Sequence, residues 1–290
     1  MTTSTATTPG VESDLRRELA GLIDRGELEL PVLSHSATRI ASMCLESDSD
    51  TRSLAEILNR DPALAGHVLR VANSSSYAPA EPIVSLQQAI SRLGLRTLGQ
   101  IAFAIALGSR VFRVPGHDAW VRELWRHSTL TAGWAREISR ARRCNGEGAF
   151  LCGLLHDVGA PVLLQAAVDL LERAKCKAER AALEPIVVEL HGPAGARLAE
   201  AWKMPPWIAQ AMLHHHDASG VCDHADEVLT TQLVGELAHW TAERPDEPVA
   251  DLCERLRALG VLEALSLYDD EFEALVGRKD KVVAFAGDLA

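Results

Sequence analysis

His214, His215 and His216 stand in succession ahead of Asp217, and a second adjacent imidazole and carboxylate, His156 and Asp157, close the apolar run Gly153-Leu154-Leu155. Glu123 and His127 lie four residues apart, and His191 stands alone between these groups. Nitrogen and oxygen donors from several separate segments are what an internal metal centre in a helical core requires, and imidazole with carboxylate suits iron, manganese or zinc. Each piece also has a plainer reading. Glu and His at helical spacing more often form a surface pair or a hydrogen-bonded core histidine. Histidines at a helix end gain from the negative end of the dipole.

The elements that must carry these residues read as helices throughout, because strand-like alternation of β-branched residues is almost absent. Ser53 with Glu56 and Ser85 with Gln88 have capping-box spacing. Asp61-Pro62 offers an N-cap followed by a first-turn proline. Gly94 stands where a left-handed helix terminator is wanted. An apolar helix is expected over 96–112, and Val114-Pro115-Gly116-His117 reads as a breaker between two helical halves. After Asp118, helices are expected over 119–140, 149–158, 161–178, 184–202, 205–215 and 225–242, with a helical segment from Val249 to Phe285 packing back. On the first of these, Trp120, Glu123, His127, Thr131 and Trp134 form one stripe. Gly192-Pro193 is expected to redirect His191, since proline disfavours helical geometry in the residue before it.

The expected organisation is a tail and first helix start over 1–24, an N-terminal helical lobe over 25–114, a lobe with the candidate site over 115–245, and a C-terminal extension over 246–290. A net charge of −11 over 290 residues, with no Lys/Arg cluster, argues against a nucleic-acid surface. Arg140, Arg142 and Arg143 read as a solvated helix end. The cysteines (Cys44, Cys144, Cys152, Cys176, Cys222, Cys253) contain no C-x-x-C pair and read as reduced packing residues. Ile101 to Leu107 is too short to span a bilayer and no secretory leader is evident. The expectation is a cytoplasmic protein with no membrane partner, its Thr-rich residues 1–10 forming a tail.

Asp61-Pro62-Ala63-Leu64 through Val71-Ala72-Asn73-Ser74, then Ser85-Leu86-Gln87-Gln88-Ala89-Ile90 and Leu93-Gly94, resemble the N-terminal signature of the HDOD family. Leu124-Trp125-Arg126-His127-Ser128, Gly153 through Gly159, His191 with Gly195-Ala196, Trp202 with Pro205, and His215-His216 continue that pattern over roughly residues 28–242. The resemblance implies an all-α, two-lobed fold: an N-terminal helical bundle and a C-terminal lobe like those of HD phosphohydrolases, which include the HD-GYP cyclic-dinucleotide phosphodiesterases. It implies a signalling module with a protein partner that has generally lost catalysis. It places Glu123, His127, His156, Asp157, His191, His215 and His216 at metal-ligand positions, for up to two divalent ions. In an active enzyme, His156 and Asp157 would be the catalytic pair.

Departures from the pattern favour regulation over turnover. Ala160 stands where a Lys is expected, and the late Asp ligand falls near Val234, Gly235 and Glu236. Asp217-Ala218-Ser219-Gly220 replaces the Gly-Tyr-Pro loop. Three functions follow from the resemblance: a non-catalytic regulatory module, a metal-dependent phosphohydrolase or phosphodiesterase, and a nucleotide sensor using Arg126 and Lys203. The first is ranked ahead. Asn73 and Ser74 are expected to terminate and pack a helix rather than to perform chemistry.

Overall fold

The computed structural model describes residues 9–45, 51–77, 79–221 and 223–289. Six helices come first: α1 (Pro9–Arg25), α2 (His35–Leu45), α3 (Thr51–Asn59), α4 (Pro62–Ala72), α5 (Leu86–Leu93) and α6 (Leu95–Gly108). Six more carry the candidate residues or flank them: α7 (Asp118–Arg142), α8 (Gly146–Leu155), α9 (Gly159–Arg173), α10 (Arg180–Ala201), α11 (Pro206–His214) and α12 (Ala225–Glu243). The chain ends in α13 (Val249–Ala258), α14 (Val261–Ala264), α15 (Asp269–Val276) and α16 (Lys279–Leu289). Among the described residues the fold is all-α, with no strand. Residues 1–8 of the expected tail, and Cys222, lie outside them, whereas Pro9 and Gly10 open α1 and so are not tail.

Local side-chain chemistry sets several boundaries. Asp61 accepts from the Leu64 N–H at 3.0 Å and caps α4, and Ser85 accepts from the Gln88 N–H at 3.2 Å and caps α5. Ser53 does not cap, because α3 has already begun at Thr51. Gly94 has φ 81° and ψ 155°, outside the left-handed helical region and open essentially to glycine alone. That conformation turns α5 into α6 through 118° with no intervening residue to spare. Asn73 reaches across its loop, donating to the Ile83 carbonyl at 2.8 Å and accepting from the Ile83 N–H at 2.7 Å. It therefore fixes the loop after α4, the packing role expected of it.

Two apolar clusters organise the helices. One joins α1 through α6 to α8, α9, α10 and α11, with Phe103, Ile101, Phe150, Leu154 and Leu163 fully buried. The other lies between one face of α7 and α12 and the C-terminal helices, through Leu130, Trp134, Leu237, Leu252, Phe272 and Val282. Trp134 donates to the Thr241 hydroxyl at 3.0 Å, tying α7 to α12 inside this second cluster. The stretch Gly148–Arg173 is apolar and long enough to cross a membrane by composition, but 78% of its apolar window is buried inside the protein, as in a core helix.

Two surface expectations change. Arg142 is not a solvated cation: it donates to Asp226, Thr230 and the Leu265 carbonyl, linking α7 to α12 and to the end of α14. Cys44 and Cys152 are buried, but Cys144 and Cys176 are exposed, so packing does not account for those two.

The C-terminal helix is clamped to α7 by a buried carboxylate. Glu137, 3% exposed, receives Arg140 at 2.7 Å, Arg278 at 2.7 Å and Lys281 at 2.8 Å. Burial alone would raise the Glu137 pKa, but hydrogen bonds from Lys281 and Arg278 and the charge of Arg140 outweigh it and hold the pKa below its usual value. A lowered folded-state pKa means that the contribution is present above the unfolded value, near 4.5, and lost as pH falls through the folded one. Glu137→Ala is expected to cost about 1.5–3 kcal/mol at neutral pH. Thermal unfolding should show that difference shrinking below about pH 4.5; an equal loss at pH 7 and pH 3 would refute this account of the clamp.

Candidate metal centre

Four segments bring the imidazoles together. His127 sits midway along α7. His156 follows the last residue of α8, with Asp157 next to it. His191 lies inside α10, and His215 and His216 follow α11. Helix α10 continues through Pro193 without deflecting His191, contrary to expectation. The helix is packed on both α9 and α11, which outweighs the missing proline N–H.

The orientation of three histidines follows a single rule. Nδ1 of His156 meets the Gly153 carbonyl at 2.9 Å, that of His191 meets the Val188 carbonyl at 2.7 Å, and that of His215 meets the Met212 carbonyl at 2.9 Å. Each carbonyl is three residues upstream, and for His156 and His215 it is one of the last carbonyls of a helix, which lack a partner in the helix. A carbonyl can only accept, so Nδ1 holds the proton and Nε2 of the neutral ring presents a lone pair inward.

Those lone pairs face one another. His127 and His156 have Nε2 atoms 3.1 Å apart, His191 and His215 3.1 Å, and His216 and His191 3.2 Å. With Nδ1 protonated on both, the His191–His215 contact has no hydrogen to share between neutral rings. Asp157 lies at the centre. Its Oδ2 is 3.3 Å from His156 Nε2 and 3.6 Å from His127 Nε2, and its Oδ1 is 3.2 Å from both His191 and His215. Donors bound to one ion at about 2.0–2.2 Å stand about 3–3.5 Å apart in tetrahedral or octahedral geometry. Buried Asp157 Oδ1 and His127 Nδ1 are also left without a hydrogen-bond partner. Two overlapping groups, His127-His156-Asp157 and Asp157-His191-His215-His216, have their ligand atoms within 4.8 Å of one another. These residues fit a divalent transition metal.

Burial keeps three of the histidines in their neutral, metal-binding form. Burial pushes the His127 pKa well below its usual value and lowers that of His215, while His216 falls to about 3 through burial and the neighbouring His215 and His191. His191 is the exception: burial also pulls down, but the neighbouring Asp157 carboxylate and the backbone carbonyls raise it above its ordinary value, so an ion binding there competes with a proton.

Glu123 is not gathered into the cluster. It lies one turn before His127, 58% exposed, and pairs with Arg180 of α10 at 2.6 Å. Arg180 also pairs with Glu184 at 3.1 Å and lies 5.0 Å over the Trp120 ring. These residues form the wall of a pocket of about 280 Å³ that opens on His127, Asp157, His191 and His216 and is also lined by buried Ala160. Arg126 and Lys203 are not part of that wall. Glu236 turns away and pairs with Arg255. His239 and Glu243, which did not figure among the expected residues, line the pocket instead. His239 is one helical turn beyond Gly235, so following the α12 face forward from the missing acidic position would have found it.

The HDOD domain profile matches residues 30–218. A crystal structure of an HDOD domain protein with unknown function from Geobacter sulfurreducens is 26% identical, with a TM-score of 0.71 over 98% of this chain and 99% of that one. A provisionally described metal-dependent phosphohydrolase from Shewanella amazonensis is 21% identical, with a TM-score of 0.73 over 96% and 99%, and shares the fold. An uncharacterized protein of Treponema pallidum is 24% identical over 76% of this chain, which spans 44% of that relative's length.

Proposed function

Because the chain belongs to the HDOD family, we propose that it is a bacterial signal-transduction module that turns over no substrate, in which a metal-holding cluster stabilises the C-terminal half for a signalling protein partner. His127, His156, Asp157, His191, His215 and His216 would hold iron, manganese or zinc. Such an ion supplies positive charge and Lewis acidity when bound. The Nδ1-to-carbonyl bonds of His156, His191 and His215 orient their rings before any ion arrives.

The charge of the pocket carries the regulatory reading. Four carboxylates, Glu123, Asp157, Glu184 and Glu243, line it against one cation, Arg180. Glu123 and Glu184 already hold that cation. Ala160, where the resemblance expects Lys, adds no ammonium. An anionic phosphoester would find no uncommitted protein cation among these lining residues.

A metal-dependent phosphohydrolase or cyclic-dinucleotide phosphodiesterase is the second reading, favoured by the opening of the pocket onto four of the donor residues. The deciding experiment uses full chain purified without chelator, alongside a His156→Ala, Asp157→Ala double variant. The regulatory reading expects metal in the wild type, none in the variant, and no hydrolysis of cyclic dinucleotides or a generic phosphoester by either. Turnover that vanishes in the variant would replace it with the enzyme. Saturable nucleotide binding without product would make the nucleotide the signal.

A further inference from the structure

Helix α12 closes the side of the cluster that has fewer donors. It is pinned at two points: Gln232 donates to the His216 carbonyl at 3.2 Å, and Thr241 accepts from Trp134 at 3.0 Å. Its pocket-facing residues are His239, between these pins, and Glu243, just beyond the second. The ring of His239 lies 4.3 Å from that of His127, tilted by 35°. Ring pairs inside the gathered cluster span the same range, from 4.1 Å for His215 and His216 to 5.1 Å for His127 and His156.

The chemistry of His239 matches that of the gathered histidines. Its Nδ1 meets Glu243 Oε1 at 3.0 Å. An ionised carboxylate only accepts, so Nδ1 carries the proton and Nε2 is left as a lone-pair donor, the state produced elsewhere by backbone carbonyls. A carboxylate behind an imidazole is also the common outer partner of a metal-binding histidine, fixing the tautomer and raising ligand basicity. The two halves of the cluster are unequal: Asp157, His191, His215 and His216 supply four donors, whereas His127, His156 and Asp157 supply three. His127 Nδ1 is buried without a hydrogen-bond partner on that poorer side. The His239 side chain, 32% exposed, lines the same pocket that opens on His127 and Asp157.

We propose that His239, oriented by Glu243, is the fourth protein ligand of a second cation subsite formed with His127, His156 and Asp157. Asp157 is shared between the two subsites, one oxygen turned to each. The ligand on α12 is then an imidazole one turn beyond Gly235, in place of the acidic side chain expected near 234–236. This proposal rests on the cluster's being a metal site at all.

The test is cobalt(II) titrated into chelator-stripped full chain, with ions per chain counted after gel filtration and coordination followed by visible absorption. Wild type should bind two ions, and His239→Ala one, with the absorption of the second lost. Glu243→Gln should still bind two but with the second weakened about 10–100-fold. Glu236→Ala, on a residue paired with Arg255, should match wild type. Wild type that binds no ion overturns this proposal together with the metal-site reading. Wild type that binds one ion overturns the second subsite alone. Two ions in both wild type and His239→Ala overturn the role of His239.

Discussion

Gly159→Ala should be the most damaging glycine-to-alanine change among the described residues. A Cβ on Gly159 would stand 2.0 Å from the His191 carbonyl oxygen and 2.7 Å from the Gly195 amide nitrogen. Both are backbone atoms of one turn of α10, so no side-chain rotation relieves the clash, and α9 must move off α10. That movement also separates His191 from Asp157, now 3.2 Å apart. Overpacking usually costs about 1–3 kcal/mol where neighbours can yield. Here the cost should be at the top of that range or above it, and metal binding should fall with stability. Gly235→Ala is the paired control: its Cβ meets nothing within 4 Å in the interior of α12. It should be neutral or stabilise by about 0.5–1 kcal/mol. Chemical denaturation compares the two, and a Gly159→Ala midpoint equal to that of Gly235→Ala would mean that α9 and α10 do not approach so closely.

The fold was legible where a side chain acts on its own backbone. Asp61 and Ser85 cap within three residues, and the spacing alone reveals it. The same logic failed at Ser53, because cap spacing marks a helix start only if the preceding residues are not already helical. Pro193 shows the opposite case: the local penalty is real, but packing on both sides of α10 overrides it.

The site was legible as a set of donor types and, through the family pattern, as positions. Its geometry was not, because the contacts that define it run between distant helices. Glu123 shares its stripe with His127, but Arg180, presented by α10, holds it at the pocket wall. His239 has no motif of its own. Its relevance appears only once Trp134–Thr241 and Gln232–His216 fix how α12 lies across the cluster. The Nδ1-to-carbonyl rule is a property of three local turns, yet it gains meaning from the convergence of their Nε2 atoms.

Asp157→Asn should separate the stability of the fold from that of the metal centre. Asp157 is the only carboxylate among the two gathered donor groups, and each of its oxygens faces a different set of histidines. Asparagine has nearly the same volume, so packing against the surrounding helices is kept. Its amide nitrogen, turned to the Oδ1 side, also donates, and the inward Nε2 lone pairs of His191 and His215 accept. Without metal, the variant should therefore unfold at or above the temperature of chelator-stripped wild type. Metal should distinguish them. An ion that binds only the folded chain adds about 4 kcal/mol when present at about a thousandfold above its Kd. Wild type should gain that stabilisation on adding manganese, iron or zinc and lose it to chelator, whereas the variant, lacking the shared anion, should barely respond. Equal metal-dependent shifts in Tm for the two proteins would show that the carboxylate is not what joins these histidines into a binding site.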